Sequence, residues 1–213
     1  MANMLKVCNY IGRRHVALES EYGNNFSMEG FVHMETAVNQ LKKGLTAAFI
    51  DKGVYSGESY RPQLVLNNHK LGQKVLTSLE TELNNCDEFF ISVAFITMSG
   101  IIPLLQTLQE LEADGVKGKI ITTDYLSFSE PAALEKLNSF RNIELKFYCA
   151  GDRGFHTKGY IFHRGEEYRI IVGSANLTSN ALTRNEEWNT KLVSMEQGEY
   201  TEGIIRRFHE LWQ

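Results

Sequence analysis

The sequence predicts an α/β fold, and three observations carry that expectation. The 213 residues are 43% hydrophobic and 23% charged with only 3 prolines, the composition of a globular chain long enough to bury a core unaided. Between Leu64 and Cys149, apolar strand-like runs alternate with helical periodicity, an order that favours parallel strands joined by helical crossovers. Beyond Cys149 the rhythm changes to short strand-like runs, two of them separated by a tight turn.

The elements follow in chain order. Residues 1–60 read as a partly helical N-terminal appendage and residues 61–213 as the main domain. In the appendage, Ala37, Leu41, Leu45 and Ala48 recur at helical spacing and predict a helix over 34–49. Residues 51–61, rich in Gly, Ser and Tyr, read as the loop at the boundary. Leu71, Val75, Leu76, Leu79 and Leu83 predict an amphipathic helix. Residues 88–95, EFFISVAF, predict a buried strand. Ser99 is expected to cap a helix through Ile102, Leu105, Leu108 and Leu111, with Pro103 in its first turn and Gly115 past its end. A strand over 119–123, a helix opened by Ser129 and Pro131, and a strand over 143–149 follow. Strands are expected over 155–162, 168–172 and 187–193, with a hairpin turn at 164–166 and a short helix over 177–183. Residues 199–212 predict a last amphipathic helix with Ile204, Ile205, Phe208 and Leu211 facing the core. Trp188 is read as core.

Several classes are disfavoured by composition. No stretch reaches the roughly 18 apolar residues of a membrane span, and Arg13, Arg14 and His15 interrupt what would be a leader's apolar stretch. Cys8, Cys86 and Cys149 are odd in number and lack metal-ligand spacing, so they read as reduced thiols of a cytoplasmic protein. The net charge of -4 argues against a protein that coats a polyanion. Local balance still decides where phosphate can bind, and residues 151–191 hold 6 Lys and Arg against 5 Asp and Glu. No GxxxxGK[ST] loop is present, so ATPase chemistry by that route is not expected. The chain stops at Gln213 without a helix-ending signal and reads as a domain of a longer protein.

The chemistry concentrates in three segments: His156-Thr157-Lys158, then Gly173-Ser174-Ala175-Asn176, then Glu187. On a strand, His156 and Lys158 would project to one face. Gly173 permits a turn at a strand end, after which Ser174 and Asn176 can offer polar groups to an anion. Phosphoryl transfer asks for this set. A neutral imidazole can attack phosphorus if a carboxylate holds its other nitrogen, the role expected of Glu187. Lys158, Ser174 and Asn176 would hold the phosphate oxygens as charge builds on them. No metal and no cofactor are expected.

An H-x-K followed by G-S-x-N, with a carboxylate eleven residues later, resembles the phospholipase D superfamily. The segments ISVAFITMSG, ITTDYLSFSEPAALEKL, FHTKGYIF and IIVGSANLTSNALTRNEEWN resemble the nuclease-type domain of that superfamily found at the N-terminus of bacterial superfamily II helicases and in related restriction enzymes. The resemblance runs from about Leu64 to the C-terminus. It implies a mixed β-sheet flanked by helices on both faces. It also implies an active site built from two H-x-K motifs across a two-fold axis, where one histidine becomes a phosphohistidine and the other protonates the leaving oxygen. Only one H-x-K is present, so a homodimer is expected to supply the second. The implied activity is a metal-independent phosphodiesterase or nuclease acting on DNA, with RNA as the alternative polymer and helicase domains lying C-terminal in the parent protein. The family's aspartate five residues after the lysine is His163 here. That departure weakens a lipid-hydrolase reading more than a nuclease one, and keeps a non-catalytic phosphate- or DNA-binding module as the second hypothesis. A phospholipid hydrolase or transferase ranks third, because no basic amphipathic membrane-surface helix is visible.

Overall fold

The computed structural model describes residues 61–124, 128–149 and 154–213, together with Asn39. The chain divides between Ser56 and Gly57, and everything below concerns the second unit. Apart from Asn39, the helix expected over 34–49 lies outside the described residues, as does the loop at 51–61 apart from Arg61.

Among the described residues seven strands form one sheet: β1 (Gln63–Val65), β2 (Glu88–Val93), β3 (Lys117–Thr123), β4 (Ile143–Tyr148), β5 (Lys158–Arg164), β6 (Glu167–Gly173) and β7 (Asn189–Met195). Their order across the sheet is β1-β7-β6-β5-β2-β3-β4. β2, β3 and β4 run parallel. The pairs β2–β5, β5–β6, β6–β7 and β1–β7 are antiparallel. The mixed sheet is therefore a parallel half with helical crossovers, joined through β2 to an antiparallel half built on a hairpin. Gly165, at φ 59°, occupies the left-handed region that lets β5 turn into β6 within two residues.

Side-chain alternation divides the interior into two layers. Phe89, Ile91, Ile120, Tyr160, Phe162 and Ile171 face the helices α1 (Val75–Leu83), α3 (Leu105–Ala113), α4 (Pro131–Asn138) and α5 (Ser179–Thr183). Phe90, Ile121, Ile161 and Ile170 point the other way, where α6 (Glu199–Trp212) lays Phe208 against them with Ile204, Ile205 and Leu211 alongside. Phe208 meets Phe90 edge-on at 5.2 Å between ring centroids. Glu199 and Glu202 in the first turn of α6 complement its macrodipole.

Local chemistry explains where the elements differ from expectation. The helix after β2 breaks into α2 (Met98–Ile101), a 3-10 turn over Ile102–Leu104 and α3, because Pro103 has no N–H to continue the ladder. Its cap is Thr97, whose hydroxyl accepts from Gly100 N, and not Ser99. Ser129 does not cap α4. Its hydroxyl accepts from Ile96 N (3.2 Å), while the neighbouring Glu130 is the N-cap residue and lends its carboxylate to Met98 N (2.7 Å). α1 starts at Val75, and Leu71 lies outside it, largely exposed. Its first amide is capped from a distance by Asn67 Oδ1 (3.0 Å).

Candidate phosphate site

The site forms at the β5 start, the β6 end and the β7 start. β2 ends at Val93 opposite Lys158, so the ladder stops there, and a single bond from Ala94 N to Thr157 O (3.1 Å) continues past it. His156 thus lies just outside β5 rather than on it, exposed, while Lys158 is the first residue of the strand and is buried. The pair still converges as their spacing predicts: Lys158 Nζ stands 2.8 Å from His156 Nδ1 and donates to His156 O at 3.0 Å. Burial pushes the Lys158 pKa down, and the nearby Glu187 carboxylate opposes that shift. While Lys158 is charged it has only hydrogens to offer, so Nδ1 accepts and the imidazole proton resides on Nε2.

A strap over residues 173–178 carries the second group. Gly173 is demanded by close approach, since a Cβ there would come within 2.3 Å of Trp188 O and 2.5 Å of Asn189 Cα. The strap then runs alongside residues 95–97, bonded Leu177 N to Phe95 O and Thr97 N to Leu177 O, each at 3.1 Å. Asn176 Oδ1 accepts from Phe95 N (3.2 Å), which fixes the carboxamide and leaves its NH2 as the donor for an oxyanion. The Phe95 ring packs edge-on against the His156 ring at 6.0 Å. Phe95 therefore joins the histidine and the asparagine.

Glu187 precedes β7 rather than belonging to it, and it is buried. Its Oε2 accepts a short hydrogen bond from Ser174 Oγ, and Asn185 Nδ2 approaches its Oε1 at 3.5 Å. Ser174 Oγ also accepts from Trp188 N (3.0 Å). Ser174 is thus committed to holding a carboxylate, and the cap of α5 is Thr178. Within the chain, the His156 ring nitrogen meets Lys158 and not Glu187. The carboxylate acts on Lys158 through its field.

Several supporting residues were not singled out from the sequence. Asn189, 1% exposed, accepts from Ala175 N and donates to Val65 O, both at 3.1 Å. The Tyr160 hydroxyl, in the core, donates to Ala175 O at 2.9 Å. Strand alternation combined with a polar residue in an apolar run was the available clue. Trp188 is not core: it is 68% exposed, with its indole N–H held by Glu186 (3.0 Å). Phe128, also exposed, packs edge-on against Phe95 at 5.1 Å. Phe128 is thus next to the ring that packs on His156, and Trp188 is tied through its backbone N–H to Ser174.

His163 sits near the hairpin end of β5, stacked on Tyr168 at 4.6 Å. Five residues along a strand is about 16 Å, so no side chain at that position touches a phosphate held by Lys158. Among the described residues, no group of three or more His, Cys, Asp and Glu is gathered as a metal ion needs. No helix among them is long and apolar enough to cross a membrane.

Residues 79–212 match the family described as cardiolipin synthase, PLD-like domain. Among solved structures, the chain is similar to NucT from Helicobacter pylori, at 16% identity and a TM-score of 0.57, covering 71% of this chain and 95% of that one. It is similar to Nuc, a phospholipase D family member from Salmonella typhimurium, at 17% identity and a TM-score of 0.55 with the same coverages, 71% and 95%. A phosphatidylserine synthase from Haemophilus influenzae Rd KW20 shares the fold at 16% identity and a TM-score of 0.50, over 71% of this chain and 38% of that one. No curated protein matches the sequence.

Proposed function

We propose, from the premise that this chain belongs to the phospholipase D-like family, that it is a metal-independent phosphodiesterase acting on DNA. The observation that carries this reading is the contact between His156 and Lys158, beside a positioned Asn176 carboxamide and a buried Glu187. An incoming phosphate competes for Lys158 Nζ and draws it off Nδ1. The imidazole is then free to take the tautomer with its lone pair on Nε2, the nucleophilic form. Lys158 and the Asn176 NH2 hold the non-bridging oxygens as charge grows. His156 forms a bond to phosphorus, the leaving oxygen departs, and His156 of a second copy supplies its proton. That second imidazole next takes a proton from water, which cleaves the phosphohistidine. To give up that proton and end neutral, the second ring enters as imidazolium, with hydrogen on both nitrogens, and is left with the Nε2 lone pair that takes the proton from water.

A homodimer completes this site in the proposal, and helicase or restriction domains of a longer cytoplasmic protein are its setting. DNA is preferred to lipid because two exposed aromatics, Phe128 against Phe95 and Trp188 bonded through its backbone N–H to Ser174, are available for bases to stack on. The test is cleavage of plasmid and oligonucleotide DNA in EDTA, with acid-quenched samples probed for a covalent phosphoprotein. Cleavage that survives chelation and is lost in His156→Ala supports the reading. Chelator-sensitive cleavage, or activity retained in His156→Ala, ends it.

One observation favours a second reading, a phosphate- or DNA-binding module without turnover. The two Glu187 oxygens are engaged by Ser174 and Asn185, so Glu187 does not hold the imidazole, and among the described residues no other carboxylate is bonded to it. Salt-dependent DNA binding with no phosphoprotein formed would mark that case.

A further inference from the structure

A cleft of about 280 Å³ opens beside His156 and Lys158 and runs beneath α6. We propose that it is a nucleobase pocket: the base next to the phosphate under attack leaves the strand and inserts between the sheet and the helix. The proposal rests on the phosphodiesterase reading and adds to it which part of the substrate is recognised, and how.

Four features support it. The pocket is continuous with the reacting pair, so a group entering it is tethered to the phosphate that His156 and Lys158 hold. Its walls are largely apolar, with Ile161 and Val172 from the sheet and Ile204 and Phe208 from the helix, where Arg207 also lines it, surroundings in which an extruded base can stack. Its floor is open because residue 159 is glycine. A Cβ there would meet only Val172 Cγ2, at 4.0 Å, so the missing side chain leaves space in the cleft and relieves no clash. Its polar edge is a hydroxyl pair, Ser92 Oγ and Thr157 Oγ1 at 2.7 Å. One hydrogen is shared between them, which leaves a second hydrogen and lone pairs for the edge of a base.

Size selects the occupant. The volume lies just under the range of about 300–1,000 Å³ typical of pockets for drug-sized ligands, enough for one ring system and too little for a pair of acyl chains. A base inside it cannot remain paired, so single strands are expected to be cleaved faster than duplex by the cost of unstacking.

The experiment uses Gly159→Val, which fills the floor, and Ile204→Phe, which fills the same space from the helix without altering β5. Thymidine 5′-monophosphate and deoxyribose 5-phosphate are titrated into each protein, and oligo-dT and an abasic oligomer are assayed for cleavage. In the wild type the ligand and the polymer with a base are expected to be favoured by roughly five- to a hundredfold, the range for one stacked base. Both variants should bring that ratio toward one. A ratio near one in the wild type overturns the pocket, as does a ratio unchanged in both variants. A change of oligomeric state in the variants with base preference intact also overturns it, by assigning the cleft to a second copy of the chain. Failure of the underlying reading looks different: the wild type would prefer thymidine 5′-monophosphate yet cleave no oligo-dT.

Discussion

Lys158 is a charge held where water is scarce, and burial is the leading cause of its lowered pKa. A lysine whose folded pKa lies below its unfolded value penalises the folded state wherever it is charged in both states. That penalty fades as pH rises from the folded pKa toward 10.5, because there the unfolded chain binds more protons. Lys158→Met is therefore expected to abolish phosphodiester turnover without lowering the thermal midpoint at neutral pH, a pairing that places the side chain in function rather than stability. The same shift predicts a pH limb. kcat/KM should fall on the alkaline side at an apparent pKa below 10.5, and Lys158→Arg, which stays charged, should remove that fall. A fall unmoved by the arginine would assign the limb to another group. The cysteines separate by burial: the Cys86 thiol is buried and pushed up to about 12, while Cys149 is exposed. Among these two, alkylation of the native protein should label Cys149.

At the scale of elements, the strap between β6 and α5 is the part that must not move. It is fixed by Asn189, Tyr160 and the close approach at Gly173. Asn189→Ala would leave Ala175 N and Val65 O buried and unpaired, a loss of about 2–4 kcal/mol readable by chemical denaturation. Gly173→Ala drives a methyl into the Trp188 carbonyl and is expected to cost about 1–3 kcal/mol, with activity falling further than stability because Ser174 and Glu187 shift with the backbone. Equal losses of activity for Gly173→Ala and an equally destabilised variant of α3 would show that the strap has no special role. Most elements could be read from the sequence because they are amphipathic or continuously apolar, as with β2 and α6. Strand ends were less legible. β5 and β7 begin at Lys158 and Asn189, and those ends depend on where the neighbouring strand stops, which no local pattern records.

At the scale of the molecule, a single H-x-K per chain makes the proposed site a property of two chains. In a scrambled one-to-one mixture of wild type and His156→Ala, only dimers with two wild-type chains retain both imidazoles. Activity should then be roughly a quarter that of the wild type, where independent subunits would give half. Light scattering on the same mixture confirms that subunits have exchanged. The sheet is asymmetric in a way that suits such a site. Several helices cover one face, while α6 covers the other and walls the cleft beside His156.

By itself the sequence determined the α/β class and most of the elements, and it singled out His156, Lys158, Ser174, Asn176 and Glu187 as candidates, because periodicity and motif spacing are local quantities written along the chain. Only the tertiary structure decided what each of those groups touches. It put Lys158 against His156 and Ser174 on Glu187, turned Trp188 outward, and opened the cleft under α6. The physical reason is that a hydrogen-bond partner or a cavity depends on which distant segments come within a few ångströms, and packing of the whole sheet and its helices sets that distance.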